Sequence, residues 1–375
     1  MKISLKRTPE QVELIKAMAS RNRQVAYEAQ VALAEFIGPV LAEVINNAPT
    51  LSNLFTQLQF NADDNPSIPL DLYYDISDED YITVYSQSAA GGLPQNQVLP
   101  TVSEMKIATY SLDSALSFDR RYAAKSRMDV VSKTFTRMAQ EILLKQERTS
   151  ANLLMTALGA AKTNTLQHLV SATTAGAFLL QDFNNLITRA RRINTSFSKG
   201  TPEGAASARG ITDLIISPEL ENSIRSMAYN PINTKGAGGA ALVGTQPNSN
   251  GIAAPDEMRM ALYNSAGLPE FYGITLMVIN ELGVGQKYNT IFGSVYSPSG
   301  SDISFNASTQ QVAVGLDRGR ESLIRATAID SDSGSEFSLI ADDQYSIRQN
   351  KIGYFGSLEE GRMVLDNRAL LGVIV

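Results

Sequence analysis

The chain has 375 residues, 43% of them hydrophobic and 19% charged, so it can bury two or three cores and is too apolar for overall disorder. With no cysteine and one histidine, His168, it cannot form disulfides, thiolate metal sites, a cysteine nucleophile or a histidine-based zinc or di-iron centre. A formal net charge of −6 shows no whole-chain basic excess of the kind that grips nucleic-acid phosphates.

The start, Met1–Gln11, is polar and basic and lacks the apolar run of a secretion signal. Nothing in the chain approaches the ~20 consecutive apolar residues that cross a bilayer, so no membrane association is expected and the product reads as soluble and cytosolic. In that setting the sequons at Asn194 and Asn306 are chance matches.

Thr8 as N-cap, Pro9 at the first helical position and Glu10 in the first turn predict a helix. Apolar residues then recur at Leu14, Met18, Val25, Ala29, Leu33, Phe36, Ile37, Val40, Leu41 and Val44. Gly38-Pro39 should kink or break this stripe, and Asn46-Asn47-Ala48-Pro49 should end it. A stripe of this kind packs either on its own core or on a neighbouring subunit, and both readings stay open.

Residues 57–118 read as strands and turns with too little apolar content for a core. Leu70–Tyr74 and Tyr81–Tyr85 carry β-formers, Ala89–Pro94 is a turn cluster, and Met105–Tyr110 is a returning strand. An acidic stretch, Asp75–Asp80, runs along one side. An isolated hairpin is marginal in water, so this arm should fold on a neighbour.

From about Arg127 to Ala161 the pattern is that of one long helix. Met128, Val131, Phe135, Met138, Ile142, Thr149, Leu153 and Ala157 mark its apolar face, with Lys133, Arg137, Lys145, Glu147 and Arg148 on the others. About 34 residues at ~1.5 Å each span roughly 50 Å. With no second long helix to pair with, it should lie across a sheet. Gln181–Ile193 is a further amphipathic helix, with Phe183, Leu186, Ile187 and Ala190 on one face.

Ser198–Arg209 has the Gly, Pro, Ser and Ala content of a domain boundary. Ile211–Ile216 reads as a buried strand, and Ser217-Pro218-Glu219 opens a helix to Met227. Residues 230–256 are a loop. Strands are expected at Tyr272–Asn280, Thr290–Tyr296, Ala326–Asp330, Phe337–Ala341, Tyr345–Arg348 and Leu370–Val375. No repeat of fixed period is present.

Few residues invite chemistry. Gly236-Ala237-Gly238-Gly239-Ala240-Ala241 fits a loose dinucleotide pattern but follows no strand, so it reads as a glycine loop. Asp330–Glu336 lacks the ligands of a calcium loop and reads as a polar turn. His168 reads as a surface or capping residue. The clusters Arg120-Arg121 and Arg189, Arg191, Arg192 are better matched to ion pairs than to phosphates. No phosphate-loop lysine, nucleophile elbow or zinc-protease signature occurs. No catalytic residue, cofactor or metal is expected.

The order of elements resembles the tailed-bacteriophage major capsid proteins of the Hong Kong 97 fold. The stretch Glu104-Met105-Lys106-Ile107-Ala108-Thr109-Tyr110-Ser111-Leu112, continuing through Ser117-Phe118-Asp119 into Met128–Leu158, resembles the return of that family's E-loop into its spine helix. Ile211–Pro218 and Leu268–Val278 resemble strands of the axial (A) domain, and Leu365–Val373 resembles the closing strand of the peripheral (P) domain. The resemblance implies an α+β fold with an N-terminal helical arm (1–56), an extended E-loop hairpin (57–118), a P domain with the spine helix (119–200), an A domain (201–340) and a return to the P domain (341–375).

It further implies a non-enzymatic shell subunit, assembled in the host cytoplasm and ending in the virion. Hexamers and pentamers of this chain would close an icosahedral shell around double-stranded DNA that is not bound sequence-specifically. Portal and scaffolding proteins, and a decoration protein, are the implied partners, the scaffold being a separate protein. Tyr81, Tyr85, Leu93, Val98 and Met105 of the E-loop, with Leu33, Phe36 and Val40 of the N-terminal arm, would contact neighbours. Some members join subunits through a lysine–asparagine isopeptide bond. Here Ser86–Glu104 holds no lysine, Lys106 lies on the return strand, and Asn350 and Asn367 are the conceivable acceptors, so no self-crosslink is expected. The alternative is an encapsulin-type bacterial compartment shell, similar in fold. A reading from another class is an enzyme that binds a nucleotide at residues 236–241.

Overall fold

The computed structural model describes residues 8–48, 50–69, 104–163, 166–193, 210–227, 270–271, 273–298, 300, 302–329, 334–342 and 350–375. The expected features at 71–101, 198–209 and 230–256, the glycine loop, and Tyr345–Arg348 lie outside them. In chain order the helices are α1 (Pro9–Met18), α2 (Arg23–Asn46), α3 (Arg120–Ala124), α4 (Met128–Ala160), α5 (Leu180–Ile193), α6 (Pro218–Met227) and α7 (Lys287–Val295). The strands are β1 (Thr56–Asn61), β2 (Ser67–Pro69), β3 (Glu104–Lys106), β4 (Thr109–Asp119), β5 (Lys162–Thr163), β6 (Leu166–Gln167), β7 (Leu169–Ser171) and β8 (Asp213–Ile216). They continue as β9 (Glu270–Phe271), β10 (Ile274–Val278), β11 (Val312–Leu316), β12 (Leu323–Ile329), β13 (Ser338–Asp342), β14 (Lys351–Val364) and β15 (Leu370–Ile374). The class is α+β.

The chain forms two compact units. The first comprises Met1–Leu70, Val102–Ala151 and Leu323–Met363. Its five-stranded sheet runs β1-β12-β14-β13, with β4 along β14. β1 and β12 are parallel, whereas β14 is antiparallel to β13 and to β4, from Lys351 opposite Asp119 to Gly361 opposite Thr109. Helices cover one face. Leu33, Ile37 and Leu41 of α2 and Val131, Phe135 and Met138 of α4 share a core with Phe118, Phe337, Ile352 and Tyr354. Phe135 meets Tyr354 edge-on at 5.3 Å between ring centres. Close approach is possible because Gly356 carries no Cβ; one built there would stand 2.5 Å from Met138 Cε and Phe337 Cζ.

The second unit comprises Asp71–Thr101, Asn152–Ser322 and Val364–Val375. Its six-stranded sheet runs β7-β15-β11-β8-β10-β9. Every residue of β8, β11 and β15 is buried, which accounts for their nearly unbroken apolar runs. Phe183, Leu186 and Ala190 of α5 and Leu220 and Ile224 of α6 pack on this sheet. Buried Asp182 holds the start of α5, accepting from the Thr173 and Leu179 backbone N–H groups at 2.7 and 2.9 Å.

Several expectations need revision. The N-terminal stripe is two helices: α1 ends at Met18 with Ala19 as C-cap, and Asn22 starts α2 by accepting from the Gln24 N–H. Gly38-Pro39 does not break α2. Pro39 lies on the exposed side, where water can serve the Glu35 carbonyl that loses its N–H partner. β1 and β4, assigned above to the arm, are paired in the first unit's sheet. Leu370–Ile374, read as a P-domain strand, pairs with β11 in the same sheet as β8 and β10, which were read as A-domain strands. Thr290–Val295 is helical, not extended. Tyr288 and Phe292 share a buried face of α7, and Phe292 stacks on Tyr296 at 5.2 Å. On α4 the buried face turns after Ile142 to Gln146, Ser150, Leu154 and Leu158 in place of Thr149, Leu153 and Ala157, since a strict heptad drifts around a 3.6-residue helix.

Candidate assembly surfaces and a buried ionic cluster

Two of the residues that invited chemistry, His168 and Glu336, are held in structural contacts. His168 is fully buried and not on the surface; its Nδ1 lies 2.9 Å from the Leu370 carbonyl. Burial holds its pKa below the ordinary imidazole value, against the opposing pull of backbone hydrogen bonds and the Asp366 charge. Glu336, from the calcium-like stretch, accepts from the side-chain amides of Asn46, Gln57 and Gln59 and so ties α2 to β1.

The first unit holds a closed ionic cluster. Glu360 of β14 accepts from Arg325 Nε at 3.2 Å, from Arg362 at 2.5 and 3.1 Å, from Gln146 at 3.0 Å and from the Tyr110 hydroxyl at 2.9 Å. Arg362 also donates to Ser52 Oγ at 3.0 Å, and Ser52 and Ser150 lie 3.1 Å apart. Next to them the Leu51 backbone N–H meets Glu147 at 2.7 Å. Burial pushes the Tyr110 hydroxyl up to about 12; Arg362 opposes the shift and Glu360 adds to it. Burial likewise lowers the Arg325 pKa. Two guanidinium groups share one carboxylate here. The effect of the cluster is to clamp α4, β4, β12, β14 and the turn at Leu51–Leu54 together. No sequence spacing announces the cluster; register alone assembles it.

Surfaces of another kind are apolar and open. The apolar stripe of α2 resolves into two faces. Ala29, Leu33, Ile37, Leu41 and Ile45, each four apart, are buried. Val25, Phe36 and Val40 point outward, Phe36 with 55% exposure. Leu33 is therefore spent on its own core, whereas Phe36 and Val40 are not. On the sheet face away from the helices, Ile340 and Phe355 sit opposite each other on β13 and β14, with 54% and 37% exposure. Met105 on β3 is half-buried and faces Ile68 of β2. Tyr81, Tyr85, Leu93 and Val98 lie outside the described residues.

β2 and β3 pair antiparallel, with Pro69 opposite Glu104, so the chain between them starts and finishes at one place on the first unit. Lys106, Asn350 and Asn367 are exposed. Among the described residues no helix is long and apolar enough to cross a membrane.

No family model matches the chain, and no curated protein does. Solved structures do. The capsid of cyanophage P-SCSP1u is similar at 11% identity and a TM-score of 0.48, covering 85% of this chain and 86% of that one. The capsid of an empty GTA particle is similar at 14% identity and TM-score 0.46, over 86% of this chain and 88% of that one. The SrpI encapsulin of Synechococcus elongatus PCC 7942 is similar at 12% identity and TM-score 0.43, over 86% and 85%.

Proposed function

We infer that the chain is a structural shell subunit, the major capsid protein of a tailed phage, and not an enzyme. The observation that carries this reading is the pairing of β2 with β3. It brings the residues on either side of 70–103 together on the first unit, in a chain whose next long helix is the 33-residue α4. The same order, hairpin return then spine helix, underlies the resemblance drawn from the sequence. Exposed apolar side chains on α2 and on the outer sheet face are what a subunit offers to copies of itself.

On this reading Phe36 and Val40 meet one neighbour, and Met105 and the hairpin beyond it meet another. Hexamers and pentamers close the shell, portal, scaffolding and decoration proteins join it, and double-stranded DNA fills it. The test is electron microscopy of the purified chain, with and without deletion of Ile82–Ile107. Closed shells from the intact chain that are lost on deletion support the reading. A monomer indifferent to the deletion overturns it. Shells that capture a cargo protein in place of DNA favour the encapsulin-type alternative.

A further inference from the structure

We propose that the first unit carries a sequence-independent site for nucleic-acid phosphates, built where α1, the α1–α2 turn and α3 meet. Two segments distant in sequence form it. Residues 14–27 contain Lys16, Arg21 and Arg23 and no carboxylate, and residues 120–128 contain Arg121, Lys125 and Arg127 and no carboxylate. The fold joins them. α1 packs against α3, and Arg120 Nε donates to the Ala19 carbonyl at 3.3 Å, fastening the end of α1 to the second segment.

All six cationic side chains are exposed. The carboxylates flanking these segments are Glu13, Glu28, Asp119 and Asp129; Glu28 accepts from the Gln24 side-chain amide at 3.1 Å, and Asp119 is already held by the backbone N–H and guanidinium of Arg121. The result is a locally basic surface on a chain whose net charge is −6. A whole-chain balance hides such a patch because it averages over distances far longer than the ~8 Å screening length at physiological salt.

The chemistry favours phosphates over a protein partner. Protein interfaces are depleted of lysine and of net charge at their centres, although arginine and tyrosine are enriched there, so the unbalanced positive charge is the discriminating feature. Here the cations share their segments with two exposed rings, Tyr27 and Tyr122, at 42% and 45% exposure, and with the exposed Val25. Arginine forks, lysine point charges and exposed aromatic rings suit a phosphate backbone with its sugars and bases.

The test is binding of a mixed-sequence DNA duplex to the full chain, followed by fluorescence anisotropy across salt. The expected slope of log affinity against log salt approaches −5, about −0.9 for each engaged phosphate. The triple variant Arg21→Glu, Lys125→Glu, Arg127→Glu should lower the slope by about 3 and weaken binding more than about tenfold. A charge-matched triple variant in the second unit, Arg191→Glu, Arg192→Glu, Arg225→Glu, should bind nearly as the parent does. The corresponding alanine triple serves if the glutamates prevent folding.

No binding by the parent at roughly 50 mM salt overturns the proposal. So does an equal loss in both triples. Intact DNA binding with lost self-association in the first triple also overturns it, and assigns the patch to a second copy whose acidic Asp75–Asp80 would be the partner. Shell formation by the same variants, seen by microscopy, is read separately and tests the capsid assignment.

Discussion

Arg325 and Glu360 meet at 3.2 Å with side chains 5% and 0% exposed, a cation and an anion both withdrawn from water. Each is tolerable only because the other is present, and Arg362, Gln146 and Tyr110 complete the carboxylate's partners. Glu360→Ala would strand two guanidinium groups. A loss of roughly 3–5 kcal/mol in unfolding free energy is expected, measured by urea titration of the unassembled chain. A loss below about 1 kcal/mol would mean that the cluster is hydrated and not closed.

Two glycines of β14 test how tightly that strand is packed. A Cβ on Gly361 would stand 2.8 Å from the Ala108 carbonyl oxygen, which belongs to the backbone and cannot swing away. On Gly356 the nearest atoms are the ends of the Met138 and Phe337 side chains. Gly361→Ala should therefore destabilise more than Gly356→Ala, with about 1–3 kcal/mol for the latter. The reverse order in thermal melts would contradict this packing.

His168 is the only histidine, so its titration can be followed alone. Its folded pKa is depressed by burial, so the unfolded chain takes up a proton more readily. The histidine's contribution is then fully present above the unfolded value of about 6.5 and is lost as pH falls through that value toward the folded one. Proton NMR of the ring should give a midpoint below about 6.5. His168→Gln should flatten stability between about pH 7 and 5. A midpoint at or above the free-imidazole value would show the ring to be solvated.

Leu33 and Phe36 are three residues apart on α2 yet face opposite environments. Leu33→Ser should cost about 2–4 kcal/mol of fold stability, since it removes a packed core side chain and buries a hydroxyl. Phe36→Ser should change monomer stability by less than about 0.5 kcal/mol and yet block assembly, if the outward face of α2 is a contact between copies. Sedimentation of both variants separates the two effects. Normal shells from Phe36→Ser would remove this face from the proposed contacts.

Local signals were legible where the cause was local. Thr8 with Pro9, and Ser217 with Pro218, mark helix starts because a side-chain oxygen or a fixed φ acts within one turn. The long helix, the amphipathic α5 and the buried β8 and β15 follow from periodicity and apolar run length. What lay across the chain was not legible. Thr290–Val295 has strand-like composition, but Asn289 bonds the Ala307 and Gln310 carbonyls at 3.0 and 2.7 Å and holds that segment as a helix, a contact that no short window contains.

The sequence by itself thus determined the long helix, the capped helix starts and the buried strands β8 and β15, and the absence of cysteine chemistry. Only the tertiary structure decided which side of α2 is buried, which sheet receives the terminal strand, that Glu360 has two arginines for company, and that the distant segments holding α1 and α3 meet. The reason is physical. Periodicity and capping act over a few residues, whereas burial and charge depend on neighbours supplied by strand register, as when β14 sets Lys351 against Asp119 and Gly361 against Thr109.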